Sequence, residues 1–139
     1  MKIHILICLI ILFAVKVNAL EVTLTQGTIK PTPIAITNLF STNSAALKIG
    51  KNIAGVISDN LERSGLFLPI DNKAFIQSSE SLSNKPRFED WKVIKAQHLI
   101  SGKISLEANK ISVEYRLFDV FAQKQLIGKK YETSEDNWR

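Results

Sequence analysis

An amphipathic helix, ended by a glycine and followed by an extended run, constrains the fold of this 139-residue chain most strongly. Between residues 44 and 71, apolar residues recur at the spacing of one helical face: Ile49, Ile53, Val56, Ile57 and Leu61. Ser44 is the predicted N-cap, because its hydroxyl can accept from a free amide of the first turn. Gly65 suits the left-handed conformation that closes a helix. The stretch therefore predicts a long helix packed on a sheet.

Two glycines, Gly50 and Gly55, lie inside this predicted helix, where each costs about 1 kcal/mol relative to alanine. Such residues are kept either for close packing on a neighbouring strand or for a ligand that approaches the backbone. We favour close packing for both, because neither glycine lies between a strand and a helix as phosphate-binding loops require.

The first 19 residues are predicted to be a signal peptide. A charged start precedes an apolar run at residues 3–15, which is too short for a bilayer span of about 20 residues. Small residues before Leu20 form a cleavage site after Ala19. The alternative is an uncleaved membrane anchor. Cys8 lies within the apolar run and would be removed with the signal, so the mature chain has no cysteine. After cleavage, the chain is not expected to span the membrane and is expected in the periplasm.

The charge and length of the mature chain limit its function and its size as a domain. Without Lys2 and Lys16, the mature chain carries 16 basic and 13 acidic residues, a net charge of +3. This charge is mild and interleaved, which argues against a nucleic-acid partner. About 120 residues are enough for one domain with a modest core.

A short β-prone segment begins the mature chain. Its apolar residues Val22 and Leu24 alternate with Thr23 and Thr25, and Gly27 ends it. The prolines of residues 30–33 favour extended backbone, so this stretch is predicted to be a hinge. We therefore divide the mature chain into a partner-binding strand and hinge, 20–32, and a domain, 33–139. The alternative is an ordinary strand fixed at a sheet edge.

The rest of the chain predicts an α/β (α+β) fold. A strand at 33–40, the long helix and an extended segment at 66–70 form a βαβ unit. A helical turn capped by Asp71 follows, in which Phe75 and Ile76 pack. The later elements are a mobile serine-rich loop at 77–86, a helix at 88–96, and strands at 98–106, 111–120 and 125–133. We expect a mixed sheet of about five strands with the two main helices on one face.

A last helix is predicted to start at Ser134, with Glu135 and Asp136 in its first turn. Because the chain ends at Arg139, this helix is expected to be truncated. Its absence is expected to leave part of the sheet uncovered and to lower stability by several kcal/mol out of a total of about 5–15.

No catalytic or metal constellation is evident in the sequence. His98 is the sole histidine after the signal and is predicted to be structural, with its polar atoms satisfied. Asp119 is expected to bond turn amides, and Glu89 with Asp90 to complement a helix dipole. Trp91 is expected to be a core anchor rather than a ligand platform. We therefore predict a protein without enzymatic activity, cofactor or metal.

From residue 21 to residue 139, the chain resembles the TolB family of the Tol-Pal system. No single motif is diagnostic, but the ordered set is specific. The matching positions are 21–22, 30–36, Ile57, 59–61, 63–67, 69–71, Phe88, Trp91, Ala96, 99–102, 113–120, 126–128 and 137–139. Family members usually carry glycine where Lys95 stands, and often tryptophan where Phe118 stands. They also continue into a β-propeller that is absent here.

The resemblance implies a scaffold that links inner and outer membranes and supports envelope integrity and constriction at division. It implies a fold similar to anticodon-binding domains of tRNA synthetases, which carries no function by itself. It also implies that the first mature residues bind the C-terminal domain of TolA, whereas Pal binds the absent propeller. The residues implied to contact TolA are Glu21, Val22, Thr23, Leu24, Thr25, Gln26 and Gly27.

The alternating pattern of these residues is typical of a strand that adds to a partner's sheet edge. The sequence leaves three other interpretations open: a stand-alone binding module, a small secreted enzyme, and a remnant or incomplete record of a longer TolB-like protein.

Overall fold

A computed structural model describes residues 30–83 and 85–138. The predicted signal peptide and the predicted TolA-binding segment, residues 21–27, lie outside this described part. The helices are α1 (Ser44–Arg63) and α2 (Phe88–Val93). The strands are β1 (Thr32–Ile36), β2 (Phe67–Pro69), β3 (His98–Glu107), β4 (Lys110–Asp119) and β5 (Lys124–Ser134).

The strands of the described residues form one mixed, five-stranded sheet in the order β2-β1-β3-β4-β5. β1 pairs in parallel with both β2 and β3. β3, β4 and β5 form an antiparallel meander. The predicted α+β fold class, its mixed sheet and its βαβ unit are therefore confirmed.

α1 begins at a different cap from the predicted one. Oδ1 of Asn43 accepts from the amides of Ala45 and Ala46 at 2.8 and 3.1 Å, so Asn43 is the N-cap and Ser44 is already helical. The short amide side chain of asparagine reaches the same free donors as a serine hydroxyl would. The other end agrees with the prediction, because Gly65 has a φ of 71° just after the helix.

The buried face of α1 consists mostly of small residues: Ala46, Ile49, Gly50 and Ala54. Ile53, Ile57 and Leu61 flank it and are partly buried. Val56 was predicted on this face but is 43% exposed, so that assignment is wrong. The apolar periodicity located the stripe but missed its centre, because glycine and alanine carry little hydrophobic signal while allowing the closest approach.

The two helix glycines differ. A Cβ atom at Gly50 would lie 2.9 Å from the carbonyl oxygen of Leu39 and 3.0 Å from Cγ2 of Ile104, so close packing explains this glycine. No such neighbour lies within 4 Å of the equivalent point at Gly55, and the predicted close packing is wrong there.

The two helices cover opposite faces of the sheet, so the prediction of both on one face is wrong. Ile34 and Ile36 of β1 pack with Ala54 of α1. Ala35, between them, packs in a separate cluster with Trp91 of α2. Because successive residues of a strand point to opposite faces, α1 and α2 must lie on different sides. A central strand in a parallel part of a sheet is buried on both faces in this way.

α2 ends earlier than the predicted residue 96. Lys95 has a φ of 61°, its amide donates to the carbonyl of Lys92 at 2.9 Å, and the amide of Ala96 donates to Trp91 at 3.0 Å. These two bonds around a left-handed residue form a Schellman motif. The motif needs a conformation that glycine adopts freely and lysine adopts at a cost.

The predictions for residues 71–76 and 134–138 are confirmed in part. Oδ1 of Asp71 accepts from the amide of Lys73 at 2.9 Å and caps a 3₁₀ turn, as predicted, and Phe75 packs against the core. Ile76 is 54% exposed and does not pack. Glu135–Asn137 form one 3₁₀ turn without a side-chain cap bond from Ser134, and Trp138 packs beside α1.

The two glycines of α1 give a matched test of its packing. Gly50→Ala should lower the free energy of unfolding by about 1–3 kcal/mol, because its methyl group meets backbone that cannot move. Gly55→Ala should raise it by about 1 kcal/mol, because only the helix propensity changes. Urea denaturation of the purified variants measures both effects. Equal effects of the same sign would contradict the packing described here.

Lys95→Gly should raise the free energy of unfolding by about 1 kcal/mol, because glycine removes the strain of the left-handed residue that ends α2. Lys95→Ala removes the same charge and keeps the strain, so it should leave stability nearly unchanged. A gain that is equal in the two variants would show that charge, and not backbone conformation, is the cause.

Candidate partner-binding surfaces

The described chain reaches the predicted TolA-binding segment only as far as Lys30. The amide of Thr32 donates to the carbonyl of Leu66 at 2.9 Å, and β1 then pairs on both sides. Thr32, predicted as part of the hinge, therefore belongs to the sheet, and Pro33 lies in the strand predicted to start there. Of the predicted hinge, only Lys30 and Pro31 are both described and outside β1.

His98 lies at the start of β3, where its ring meets Phe67 edge to face with 6.4 Å between ring centroids. Its Nδ1 is buried and has no hydrogen-bond partner among the described residues. The prediction of a fully satisfied histidine is thus wrong for this atom. No side-chain hydrogen bond joins His98 to a nucleophile among the described residues. These residues also contain no cluster of side chains suited to a metal ion.

The acidic residues singled out in the sequence have structural partners. Oδ1 of Asp119 accepts from the amide of Ala122 at 2.8 Å, which confirms its predicted place in a turn. Asp90 pairs with Arg87 at 2.6 Å, and Glu89 pairs with Lys92 at 2.8 Å. These groups bond the turn and the helix end around them.

Trp91 is fully buried, which confirms the predicted core anchor. Its Nε1 donates to Oε1 of Gln77 at 3.1 Å, and the amide of Arg87 donates to the same oxygen at 3.0 Å. Nε2 of Gln77 in turn donates to the carbonyl of Ser81 at 3.3 Å. Gln77 thereby ties the start of the serine-rich segment to α2.

The described residues of the serine-rich segment, 77–83 and 85–86, are consequently anchored to the core and differ from the mobile loop predicted. Gln77 is buried, Leu82 joins the core cluster around Trp91, and Pro86 is also buried. Sequence reasoning missed the role of Gln77 because a glutamine beside serines has the composition of a loop. Leu82 was the one local signal of burial.

A Gln77→Leu variant should lose about 2–4 kcal/mol of unfolding free energy, because the buried Nε1 of Trp91 and the partly buried amide of Arg87 would lose their acceptor. The matched control is Gln125→Leu on exposed β5, which should change stability by less than about 0.5 kcal/mol. Urea denaturation followed by tryptophan fluorescence compares them. Equal losses in the two variants would contradict a structural role for the Gln77 network.

The α2 side of the meander is polar and solvated. Lys103, Glu114 and Lys130 stand opposite one another across β3, β4 and β5. Glu114 pairs with Arg116 at 2.8 Å, and Glu132 pairs with Lys110 at 2.6 Å and Lys130 at 3.2 Å. The hydrogen bond from Lys110, and to a smaller extent that from Lys130, holds the pKa of Glu132 below its ordinary value. An open groove of about 400 Å³ lies here against Phe40.

β5 is the long edge of the sheet and is unusually exposed. Its first nine residues are all exposed, including Leu126, Ile127 and Tyr131 at 48, 42 and 58%. Tyr131 stacks on Tyr115, with 6.0 Å between ring centroids. Burial, followed by the hydrogen bond with Tyr131, raises the pKa of Tyr115. The sequence predicted this strand but not that it forms an open edge.

None of the described helices is both long enough and apolar enough to cross a membrane. The fold resembles that of TolB from Acinetobacter baumannii, with a TM-score of 0.62 at 20% identity. That match covers 78% of this chain and 24% of the Acinetobacter chain, so it corresponds to about a quarter of that protein.

Two further structures share the fold. The C-terminal domain of LpoB from Salmonella enterica has a TM-score of 0.53 at 13% identity and covers 80% of this chain and 87% of its own. Lipoprotein GNA1162 from Neisseria meningitidis has a TM-score of 0.59 at 11% identity and covers 78 and 86%. At these identities, the likeness shows the fold alone.

The sequence model of the TolB amino-terminal domain matches residues 20–126. This range takes in the segment before β1, α1 and the sheet through the start of β5. The predicted resemblance is therefore confirmed by a match over most of the chain, and the chain belongs to the TolB amino-terminal domain family.

Proposed function

We propose that this chain is a non-enzymatic, periplasmic component of a Tol-Pal system. Its residues 21–27 would bind the C-terminal domain of TolA, and through this contact the chain would contribute to outer-membrane integrity and to constriction at division. The single observation that supports the proposal best is the extent of the family match, which starts at residue 20 and so includes this segment.

The described structure supports the part of this proposal that concerns the attachment of the segment to the domain. β1 is bonded on both sides from Thr32, so a partner that takes hold of residues 21–27 pulls on a fixed point. Pro31 has no amide donor and a restricted φ, which limits how the preceding chain can pair with its own sheet. Val22 and Leu24 would then fill pockets along a partner's edge strand, while main-chain bonds supply affinity.

Export precedes this role in the proposal. Cleavage after Ala19 places Leu20 at the N-terminus and leaves residues 21–27 at the free end of the chain. N-terminal sequencing of the protein from the periplasmic fraction establishes this point before binding is measured.

Deleting residues 20–27 from the exported chain should lower its affinity for the purified TolA C-terminal domain at least about tenfold, because the strand that pairs with the partner is removed. Replacing both Val22 and Leu24 by serine should weaken binding similarly, because they supply the apolar contacts. The matched control replaces Thr23 and Thr25, which would face the other way in an extended strand, by serine. Isothermal titration calorimetry measures the affinities.

Unchanged affinity after the deletion would refute the assignment of the segment. Equal losses in the two double variants would refute the alternating contact but retain the segment. Circular dichroism of each variant confirms that the domain remains folded.

A further inference from the structure

The outer side of β5 is a second place where an extended segment can pair. Among the described residues, β5 lies at one end of the sheet and no strand pairs with its free side. The strand has 11 residues and contains no proline, so it offers a long row of main-chain groups. The opposite edge, β2, has three residues and ends at Pro69, which makes it a poor template.

The side chains of β5 provide apolar contact beside those main-chain groups. Ile127 stands opposite Leu117, and Tyr131 stands opposite Val113, so both lie on the α1 side of the sheet. Both remain substantially exposed although they adjoin the core. An added strand with apolar residues on that side would cover them, as cross-strand pairs do within a sheet.

The charges of β5 decide which kind of strand fits. It carries Lys124, Lys129 and Lys130 but just one acidic residue, Glu132. Glu132 is already shared by Lys110 and Lys130. Lys124 and Lys129 form no ion pair with any described residue. The edge therefore has an excess of positive charge that an acidic segment would balance.

The same lysines disfavour the registers of a second copy that are centred on them. Two-fold antiparallel pairing about Lys129 or Lys130 sets that lysine directly against its own copy, and like charges opposite one another are destabilising. Lysine on an exposed edge is a common device against self-association. An acidic partner meets no such penalty.

We propose that β5 receives an acidic, extended segment of another protein as a sixth strand of the sheet. This inference is independent of the proposed TolA contact, because it concerns β5 and not residues 21–27. There the chain contributes a strand to a partner, and here the domain accepts one.

Three synthetic probes test the proposal on the purified chain. The first is the capped peptide Thr-Val-Glu-Glu-Glu-Val-Thr, whose central glutamate would face Lys129 while its two valines cover Ile127 and Tyr131 on the same side of the sheet. The second has lysine at every glutamate position. The third is the acidic peptide with both valines replaced by proline, which removes two amide donors and keeps the charge. We expect the acidic peptide to bind about tenfold more tightly than the basic one, and the proline peptide to bind at least about tenfold more weakly than the acidic one.

The binding site is located by amide chemical shifts, which should change along β5 and not at β2. The variant K129E/K130E should reverse the preference between acidic and basic peptides. Its matched control is K48E/K51E, which makes the same change of charge on exposed positions of α1 and should keep the original preference. Raising the salt concentration should weaken binding of the acidic peptide and not that of the basic peptide, because salt screens the attraction between the glutamates and the lysines of β5.

Absence of binding by the acidic peptide at about 1 mM would overturn the proposal, as would equal binding of all three peptides. Shifts confined to the groove beside Phe40 would overturn it by placing the anion on the sheet face. Concentration-dependent dimerisation through β5 in sedimentation experiments would replace the acidic partner by a second copy. If K129E/K130E does not fold, the comparison of the three peptides on the unaltered chain still decides. A chain lacking residues 20–27 should bind the acidic peptide normally, which separates this result from that of the TolA experiment.

Discussion

The pairing of β1 between β2 and β3 is the constraint on which the rest of this structure depends. Ile34 and Ile36 bury one face of the strand under α1, and Ala35 buries the other against the cluster that contains Trp91. A strand that is hydrogen-bonded at both edges and covered on both faces is held firmly within the domain. It therefore fixes the crossover to β2, the meander that starts at β3, and the point from which the preceding residues emerge.

The sequence allowed the fold to be predicted where periodicity was strong and local. The βαβ unit, the meander and the left-handed Gly65 all follow from apolar spacing and from glycine chemistry. The predicted site cannot be compared with the structure in the same way, because its residues, 21–27, lie outside the described part of the chain. Their assignment rests on the alternating pattern and on the family match.

The errors came from features that local pattern does not encode. Asn43 and Ser44 are equally good caps by residue type, and geometry alone chose Asn43. The centre of the α1 stripe was missed because Gly50 and Ala54 contact the sheet through small size and not through hydrophobicity. α2 lies on the opposite face, where Gln77 accepts hydrogen bonds from residues 10 and 14 positions further along the chain. The composition of the stretch around Gln77 does not show which partners its side chain will have.

The two proposals together give a domain that would bind extended chain at two places around a central strand paired on both sides. The segment before β1 is proposed to leave and join a partner, and the free side of β5 is proposed to receive a strand. Both use main-chain bonds for affinity and side chains for selectivity, with alternating apolar residues in the first case and lysines in the second.

Amide hydrogen exchange of the exported chain, alone and with the TolA C-terminal domain, tests the central claim most directly. The account predicts strong protection of residues 34–36 in both samples, and protection of residues 21–27 only when TolA is present. Strong protection of residues 21–27 in the free chain, or none in the complex, would contradict it.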